Sequence, residues 1–160
     1  MHRMHRILLP VLLSALPVSV ASAGGPSGCQ DLSSIAPFTQ FNYEAQFQAI
    51  WDTLTDPKDP DSGLCTRCHP GNLGAGALGL GAGFSYVNLV GIPSGQDPEL
   101  IRVIPGDPLA SLLFEKVNCD TPSVGFRMPP GGTMSVTQQA FIFDWIRLGA
   151  PLSRLGFEDR

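Results

Sequence analysis

The sequence predicts an all-α fold of about three to four short helices joined by long loops rich in glycine and proline. Three segments place apolar residues at helical spacing next to good capping residues. No segment alternates apolar and polar residues in the way that a half-buried strand does. Glycine and proline account for 18 and 15 of the 160 residues, which favours long ordered loops over disorder.

The first two predicted helices begin at recognisable N-terminal signals. Asn42 is a good N-cap for a helix that runs to about Leu54. Asp107 followed by Pro108 is typical of an N-cap and first turn, and predicts the second helix. The apolar faces are Phe47, Ile50, Trp51 and Leu54 in the first helix, and Leu109, Leu112 and Leu113 in the second.

The third predicted helix begins at a capping box formed by Ser135 and Gln138. Its apolar face contains Phe141 and Trp145, and Gly149 marks its end. The remaining long segment, GNLGAGALGLGAGF, lies between the first and second helices and predicts a loop.

The first 23 residues have the pattern of a secretory signal peptide. Arg3 and Arg6 precede a short apolar run, and the small residues Ala21-Ser22-Ala23 follow at the expected cleavage site. The run is too short and too rich in proline for a membrane anchor, so we expect no membrane span after cleavage. This predicts a periplasmic or secreted protein.

Charge excludes some classes of partner. Removal of Arg3 and Arg6 from the ten basic residues leaves eight against fourteen acidic residues, a net charge of −6. An acidic chain with few lysines argues against binding to nucleic acid or to anionic lipid.

The stretch CTRCH, from Cys65 to His69, is the most specific motif in the chain. Cys-x-x-Cys-His is the attachment signature of c-type haem. Two thiols with this spacing can add across the two vinyl groups of haem, and the adjacent imidazole of His69 becomes the proximal ligand of the iron. His69 is also the only histidine that remains after signal cleavage. The sequence therefore predicts one covalently attached haem c.

Three other interpretations of the two cysteines remain open. A zinc site needs a second pair of ligands, which the sequence does not offer nearby. A redox-active dithiol expects a strand followed by a helix, and here a helix precedes and a glycine-rich loop follows. A simple structural disulfide leaves His69 unexplained.

The sixth ligand of the iron would be a methionine, since no second histidine remains after signal cleavage. Met128 lies in RMPPGG, a stiff loop that can hold a thioether against a flat cofactor. Met134 directly precedes the cap of the third helix, where an apolar residue usually packs into the core. We favour Met128, with Met134 or an open site as the alternatives.

The motif and the stretches YVNLVGIPS, RVIPGDPLASLLFEK, RMPPGG and FIFDWIRLGA together resemble the small secreted c-type cytochromes of bacteria, similar to class I cytochrome c. The resemblance covers about residues 40–151. It implies a class I cytochrome c-like fold around one haem, with Cys65 and Cys68 as the thioether residues, His69 as the proximal ligand and Met128 as the distal ligand. The implied domains are a signal peptide (1–23), an N-terminal extension (24–39), a cytochrome c domain (40–152) and a C-terminal tail (153–160).

Two cysteines lie outside the motif. In an oxidising compartment we expect Cys29 and Cys119 to form a disulfide that ties the N-terminal extension to the segment before Met128.

The function that these features predict is one-electron transfer, without enzymatic activity, to a redox partner protein that docks transiently. One alternative is a haem peroxidase or gas sensor with an open distal site. The other is a haem relay subunit of a larger redox complex.

Overall fold

The structure is a computed structural model that describes residues 25–52 and 65–154. The predicted signal peptide and Leu54 lie outside the described residues. In chain order the elements are β1 (Ser27–Cys29), β2 (Phe41–Asn42), α1 (Tyr43–Trp51), α2 (Cys65–Cys68), a 3₁₀-helix (Ala75–Ala77), α3 (Ser85–Leu89), α4 (Leu112–Asn118), β3 (Cys119–Thr121), α5 (Val136–Arg147) and β4 (Ser153–Arg154).

Helix α1 is the first predicted helix, and its cap is confirmed. The side-chain oxygen of Asn42 accepts a hydrogen bond from the backbone N–H of Ala45 at 3.3 Å. This bond satisfies one of the amide donors that the first turn leaves unpaired. The helix buries Tyr43, Phe47 and Trp51 on one side.

Helix α4 starts later than predicted, at Leu112. Asp107 caps only a turn, in which its carboxylate accepts from the N–H of Ala110 at 3.1 Å. The hydroxyl of Ser111 then donates to the Asp107 carbonyl at 2.7 Å and so occupies the acceptor of the next helical hydrogen bond. Leu109, predicted on the apolar face, is therefore 75% exposed.

Helix α5 begins and ends as the sequence predicts. The Ser135 hydroxyl accepts from the Gln138 N–H at 3.2 Å, and the Gln138 side chain accepts from the Ser135 N–H, which completes the capping box. The chain leaves the helix at Gly149, whose φ of 94° is accessible to glycine without strain.

Two antiparallel strand pairs contradict the predicted all-α, class I cytochrome c-like fold. β1 pairs with β3, with Cys29 opposite Cys119, and β2 pairs with β4, with Phe41 opposite Arg154. The prediction of an all-α class is therefore wrong. Strands of two or three residues are too short to show an alternating pattern, and they form here because contacts distant in sequence bring their backbones together.

The core lies between α1 and α5. The ring of Phe47 lies 4.5 Å from that of Trp145 and 4.5 Å from that of Tyr43, measured between centroids. All three side chains are at most 2% exposed. Burial of each such side chain contributes about 1.5–3 kcal/mol, so this aromatic cluster holds α1 firmly against α5.

The predicted disulfide between Cys29 and Cys119 is confirmed. Beside it, the backbone N–H of Gln30 donates to the Asn118 carbonyl at 3.2 Å, and the Asn118 side chain donates back to the Gln30 carbonyl at 3.1 Å. The N-terminal extension is thus attached to the end of α4. No helix among the described residues is long and apolar enough to cross a membrane.

Candidate functional site

The three residues of the haem motif lie together on one turn. Cys65 and Cys68 begin and end α2, and the backbone N–H of His69 donates to the Cys65 carbonyl at 2.9 Å. The turn is also fixed to the end of α1, because the Thr66 hydroxyl donates to the Asp52 carboxylate at 2.7 Å. The motif is therefore a short helical turn attached to the core helix that precedes it.

The two thiols are free and differ in their surroundings. Cys65 is half-buried against the hydrophobic core, whereas Cys68 is exposed. Burial raises the pKa of the Cys65 thiol to about 11, so this sulfur is protonated near neutral pH. A zinc ligand or a redox-active cysteine acts as the thiolate, and the environment of Cys65 disfavours that form.

The imidazole of His69 has a defined orientation. Its Nδ1 lies 3.1 Å from the backbone carbonyl oxygen of Leu78. Because a carbonyl only accepts, the ring donates its Nδ1 proton in this contact and Nε2 carries the free lone pair. A backbone carbonyl on one ring nitrogen is the usual support for a histidine that binds a metal through the other.

The glycine loop, residues 70–83, folds back tightly onto the motif. The backbone N–H of Leu80 donates to the His69 carbonyl at 2.8 Å. A Cβ atom on Gly74 would lie 2.4 Å from the His69 Cα, and one on Gly79 would lie 2.3 Å from the Gly71 carbonyl oxygen. Glycine is required at these two positions because backbone approaches backbone.

Met128 lies in the methionine loop (residues 127–132). It is half-buried, and its backbone N–H donates to the Lys116 carbonyl at 2.7 Å. The Lys116 ammonium in turn donates to the carbonyls of Val124 and Phe126. In the described part of the chain, the hydrogen bonds of this loop run to Lys116 of α4, to Asp120 of β3 and within the loop, and none reaches α2 or the glycine loop.

Met134, the alternative ligand, is a core residue. Its side chain is 3% exposed and belongs to the hydrophobic core. Its carbonyl accepts a hydrogen bond from the Gln139 side chain at 2.8 Å. Both contacts hold Met134 at the base of α5, as an apolar residue before a cap usually is.

Arg127 carries buried donors that only the structure reveals as unpaired. Its Nε and Nη2 atoms are buried and have no hydrogen-bond partner among the described residues. The indole Nε1 of Trp51 is buried too, but it faces the hydroxyl of Tyr43. Arg127 also pairs with Asp120 through Nη1. Buried unpaired donors are rare in folded proteins, and a bound anion or a polar ligand is a common reason for them.

The described residues contain no group of three or more histidine, cysteine or acidic side chains that can hold a metal ion by themselves. An open cleft of about 480 Å³ lies between residues 32–37 and α5, where it is lined by Leu32, Phe143 and Arg147 among others. None of its lining residues is a predicted haem ligand, so this cleft belongs to a different part of the fold.

Comparison with protein-family models, with curated proteins and with solved structures finds no significant match to this chain.

Proposed function

We propose that the protein is an exported c-type cytochrome that carries one electron at a time on a single covalently attached haem c. The observation that carries this proposal is the turn Cys65–His69, which joins two free thiols to an imidazole whose Nδ1 proton is already held by the Leu78 carbonyl. This is the donor set that haem attachment and proximal ligation require.

Cys65 and Cys68 would hold the cofactor through two thioether bonds. A thioether carries no charge, so it suits the half-buried position of Cys65, where burial disfavours a thiolate. The exposed Cys68 lies at the other end of the same turn. The pair therefore fits an attachment role better than a redox or zinc role.

His69 would be the proximal ligand of the haem iron through Nε2. The Leu78 carbonyl fixes the tautomer and limits rotation of the ring. It also raises the basicity of the ligating nitrogen, because donation of the Nδ1 proton to a carbonyl gives the imidazole partial anionic character. His69 thus has the support that a permanent ligand needs.

Met128 would be the distal ligand. Met134 is not available as a ligand, because its side chain is buried in the core and its carbonyl accepts a hydrogen bond from Gln139. Met128 is half-buried in a loop held by Lys116 and is free of such contacts. A thioether opposite an imidazole raises the reduction potential of a haem and resists exchange with other ligands.

A buried arginine matches the remaining polar groups of the cofactor, its propionates. Arg127 is adjacent to Met128, and its Nε and Nη2 atoms have no hydrogen-bond partner within the described part of the molecule. A guanidinium fork is a good partner for a carboxylate.

The cofactor would supply a reversible one-electron couple, and the chain would keep its surroundings unchanged when the electron arrives or leaves. His69 is held by backbone and Met128 by a proline-rich loop, so neither ligand needs to move. A small change in geometry between oxidation states favours fast electron transfer over catalysis at the iron.

The surface near the motif suggests how a redox partner docks. Residues 70–96 contain no charged side chain, and Leu73 and Val87 within this stretch are 74% and 60% exposed. Transient complexes of redox proteins use small interfaces. We therefore expect a partner that contacts this side through apolar groups, while the acidic remainder of the surface favours a basic partner.

The experiment that tests this function expresses the chain with haem-attachment machinery and stains a denaturing gel for haem. The wild-type protein should retain its haem, because thioether bonds survive denaturation. The Cys65→Ala/Cys68→Ala variant should lose all of it. The matched control is Cys29→Ala/Cys119→Ala, which removes the other cysteine pair and should keep the stain. Absence of stain in the wild type, or persistence of stain in the first variant, contradicts the proposal.

A further inference from the structure

Arg102 is a buried cation with an unusual set of partners. The residue is 8% exposed, and burial lowers the pKa of its guanidinium from the ordinary value. No carboxylate in the described part of the chain pairs with it. Instead it donates to two backbone carbonyls, Nη1 to Asn88 at 2.7 Å and Nη2 to Ala77 at 2.8 Å. A buried charge is retained only where its hydrogen bonds are needed.

The two carbonyls belong to the segments that surround His69. Ala77 directly precedes Leu78, whose carbonyl accepts the His69 Nδ1 proton. Ala77 also has a φ of 55°, a left-handed conformation that is strained for a residue with a Cβ. The hydrogen bond from Arg102 offsets this strain at the residue next to the acceptor.

Asn88 connects Arg102 to two points of the glycine loop. Its side-chain amide donates to the carbonyls of Asn72 and Gly79, each at 3.0 Å. Its own carbonyl accepts from Arg102. The loop is thus fastened on one side by Asn88 and on the other by Arg102, and the Leu78 carbonyl lies between the two attachments.

We propose that Arg102 is a positioning residue for His69, which it controls by fixing the Leu78 carbonyl through the adjacent Ala77. The inference rests on the proposed function only where it treats His69 as the proximal ligand. The claim that Arg102 fixes the orientation of the imidazole through the glycine loop does not depend on haem. Loss of the guanidinium fork would let the Ala77–Leu78 segment move and would weaken the hydrogen bond at Nδ1.

Lysine cannot replace arginine in this role. Arginine presents several N–H groups in a rigid plane and reaches two carbonyls at once, whereas a lysine ammonium is a single point on a flexible stem. Arg102→Lys therefore keeps the buried charge and removes one or both of the bonds to Ala77 and Asn88. It separates the effect of positioning from the effect of charge on the haem.

The test follows the Nδ1 proton of His69 by NMR in the reduced, ¹⁵N-labelled holoprotein and measures its exchange with solvent. Arg102→Lys should accelerate this exchange by about tenfold or more, since a hydrogen bond to a charged donor contributes about 1.5–3 kcal/mol. The matched control is Arg147→Lys on α5, where the arginine pairs with Asp144 and does not contact the glycine loop. It should leave the exchange rate unchanged.

Equal exchange rates in Arg102→Lys and in the wild type would overturn the inference, as would an equal acceleration in the control. If the Arg102→Lys variant does not accumulate, a measurement on the wild-type protein alone tests the inference. In the wild type, the Arg102 Nη protons and the His69 Nδ1 proton should exchange with the same dependence on denaturant, because the two hydrogen-bonded groups open together. Independent opening contradicts the inference. The denaturing gel tests covalent attachment of haem through Cys65 and Cys68, whereas proton exchange tests the role of Arg102. Failure of the proposed function and failure of this inference are therefore distinguishable.

Discussion

The two candidate ligands of the iron are held by different means. On the proximal side, around His69, backbone contacts against glycine and bonds from neutral or buried donors fix the ring, and residues 70–96 carry no charge. On the distal side, around Met128, ionic side chains of α4 and a disulfide hold the segment that leads into the methionine loop. The proposed proximal ligand thus depends on close backbone packing and on one buried arginine, and the proposed distal ligand depends on surface charge and on oxidation.

This difference has a physical consequence. Close backbone packing tolerates almost no added volume but responds little to salt or to reducing agents. Ion pairs are screened by salt, and a disulfide is lost to a reductant. Each side should therefore fail under conditions that leave the other intact.

The largest expected effect is loss of the disulfide. Cys29 and Cys119 are separated by 90 positions in the sequence. Their removal by Cys29→Ser/Cys119→Ser should lower the free energy of unfolding by about 2–5 kcal/mol, because the unfolded chain regains the entropy of a long open loop. The measurement is denaturant unfolding, and wild-type protein in reducing buffer is the control. The His69 Nδ1 signal should persist in the folded variant; its loss would show that the two sides are not independent.

The next effect is a decrease in the free energy of unfolding at alkaline pH, caused by Tyr43 in α1. Burial raises the pKa of Tyr43 from 10.0 to about 12. The folded state therefore holds a proton that the unfolded state releases above pH 10, so stability is complete below pH 10 and falls as the pH rises toward 12. The loss should reach about 2–3 kcal/mol. Tyr43→Phe has no such proton, and an equally steep decline in this variant would contradict the assignment.

A smaller effect is expected from one added methyl group beside His69. In Gly74→Ala the new Cβ meets the His69 Cα at 2.4 Å, and neither backbone atom can move aside easily. The variant should lose about 1–3 kcal/mol of stability and show a shifted His69 resonance. Gly25→Ala is the matched control, because its Cβ would have no neighbour within 4 Å. Similar stability in the two variants would argue against close packing at the motif.

The smallest effect concerns the ion pair on the distal side. Asp120 pairs with Arg127, but the carboxylate side chain is 62% exposed. Asp120→Asn should change stability by less than about 1 kcal/mol, and the difference from wild type should vanish at high salt. Unfolding in low and high salt measures it. A large salt-independent loss would mean that the pair is part of a buried network.

The sequence allowed the N-terminal starts of two helices to be predicted, since their capping signals are local. Asn42 caps α1 and the Ser135–Gln138 box opens α5 in the predicted places. The helix start predicted at Asp107 was wrong because the Ser111 hydroxyl donates to the Asp107 carbonyl, which a helix would use as a backbone acceptor. The strand pairs escaped prediction because two or three residues contain no periodicity, and their partners lie far away in sequence.

The candidate site divides in the same way. The residues Cys65, Cys68 and His69 lie within five consecutive positions, so their grouping on one turn follows from the motif alone. The supports of His69 come from Leu78 and Arg102, which only the fold brings near. In the sequence, only the high glycine content of residues 70–83 indicated such close packing. Met128 as distal ligand remains a prediction.

The most direct test of the account is the visible spectrum of the mature protein, oxidised and reduced, after expression with haem-attachment machinery. Covalent haem ligated by His69 and Met128 predicts a sharp low-spin reduced spectrum and, in the oxidised protein, the weak far-red band of sulfur–iron ligation. A high-spin spectrum would contradict methionine ligation and favour an open site for a peroxidase or gas sensor. A spectrum without haem would contradict the central claim itself.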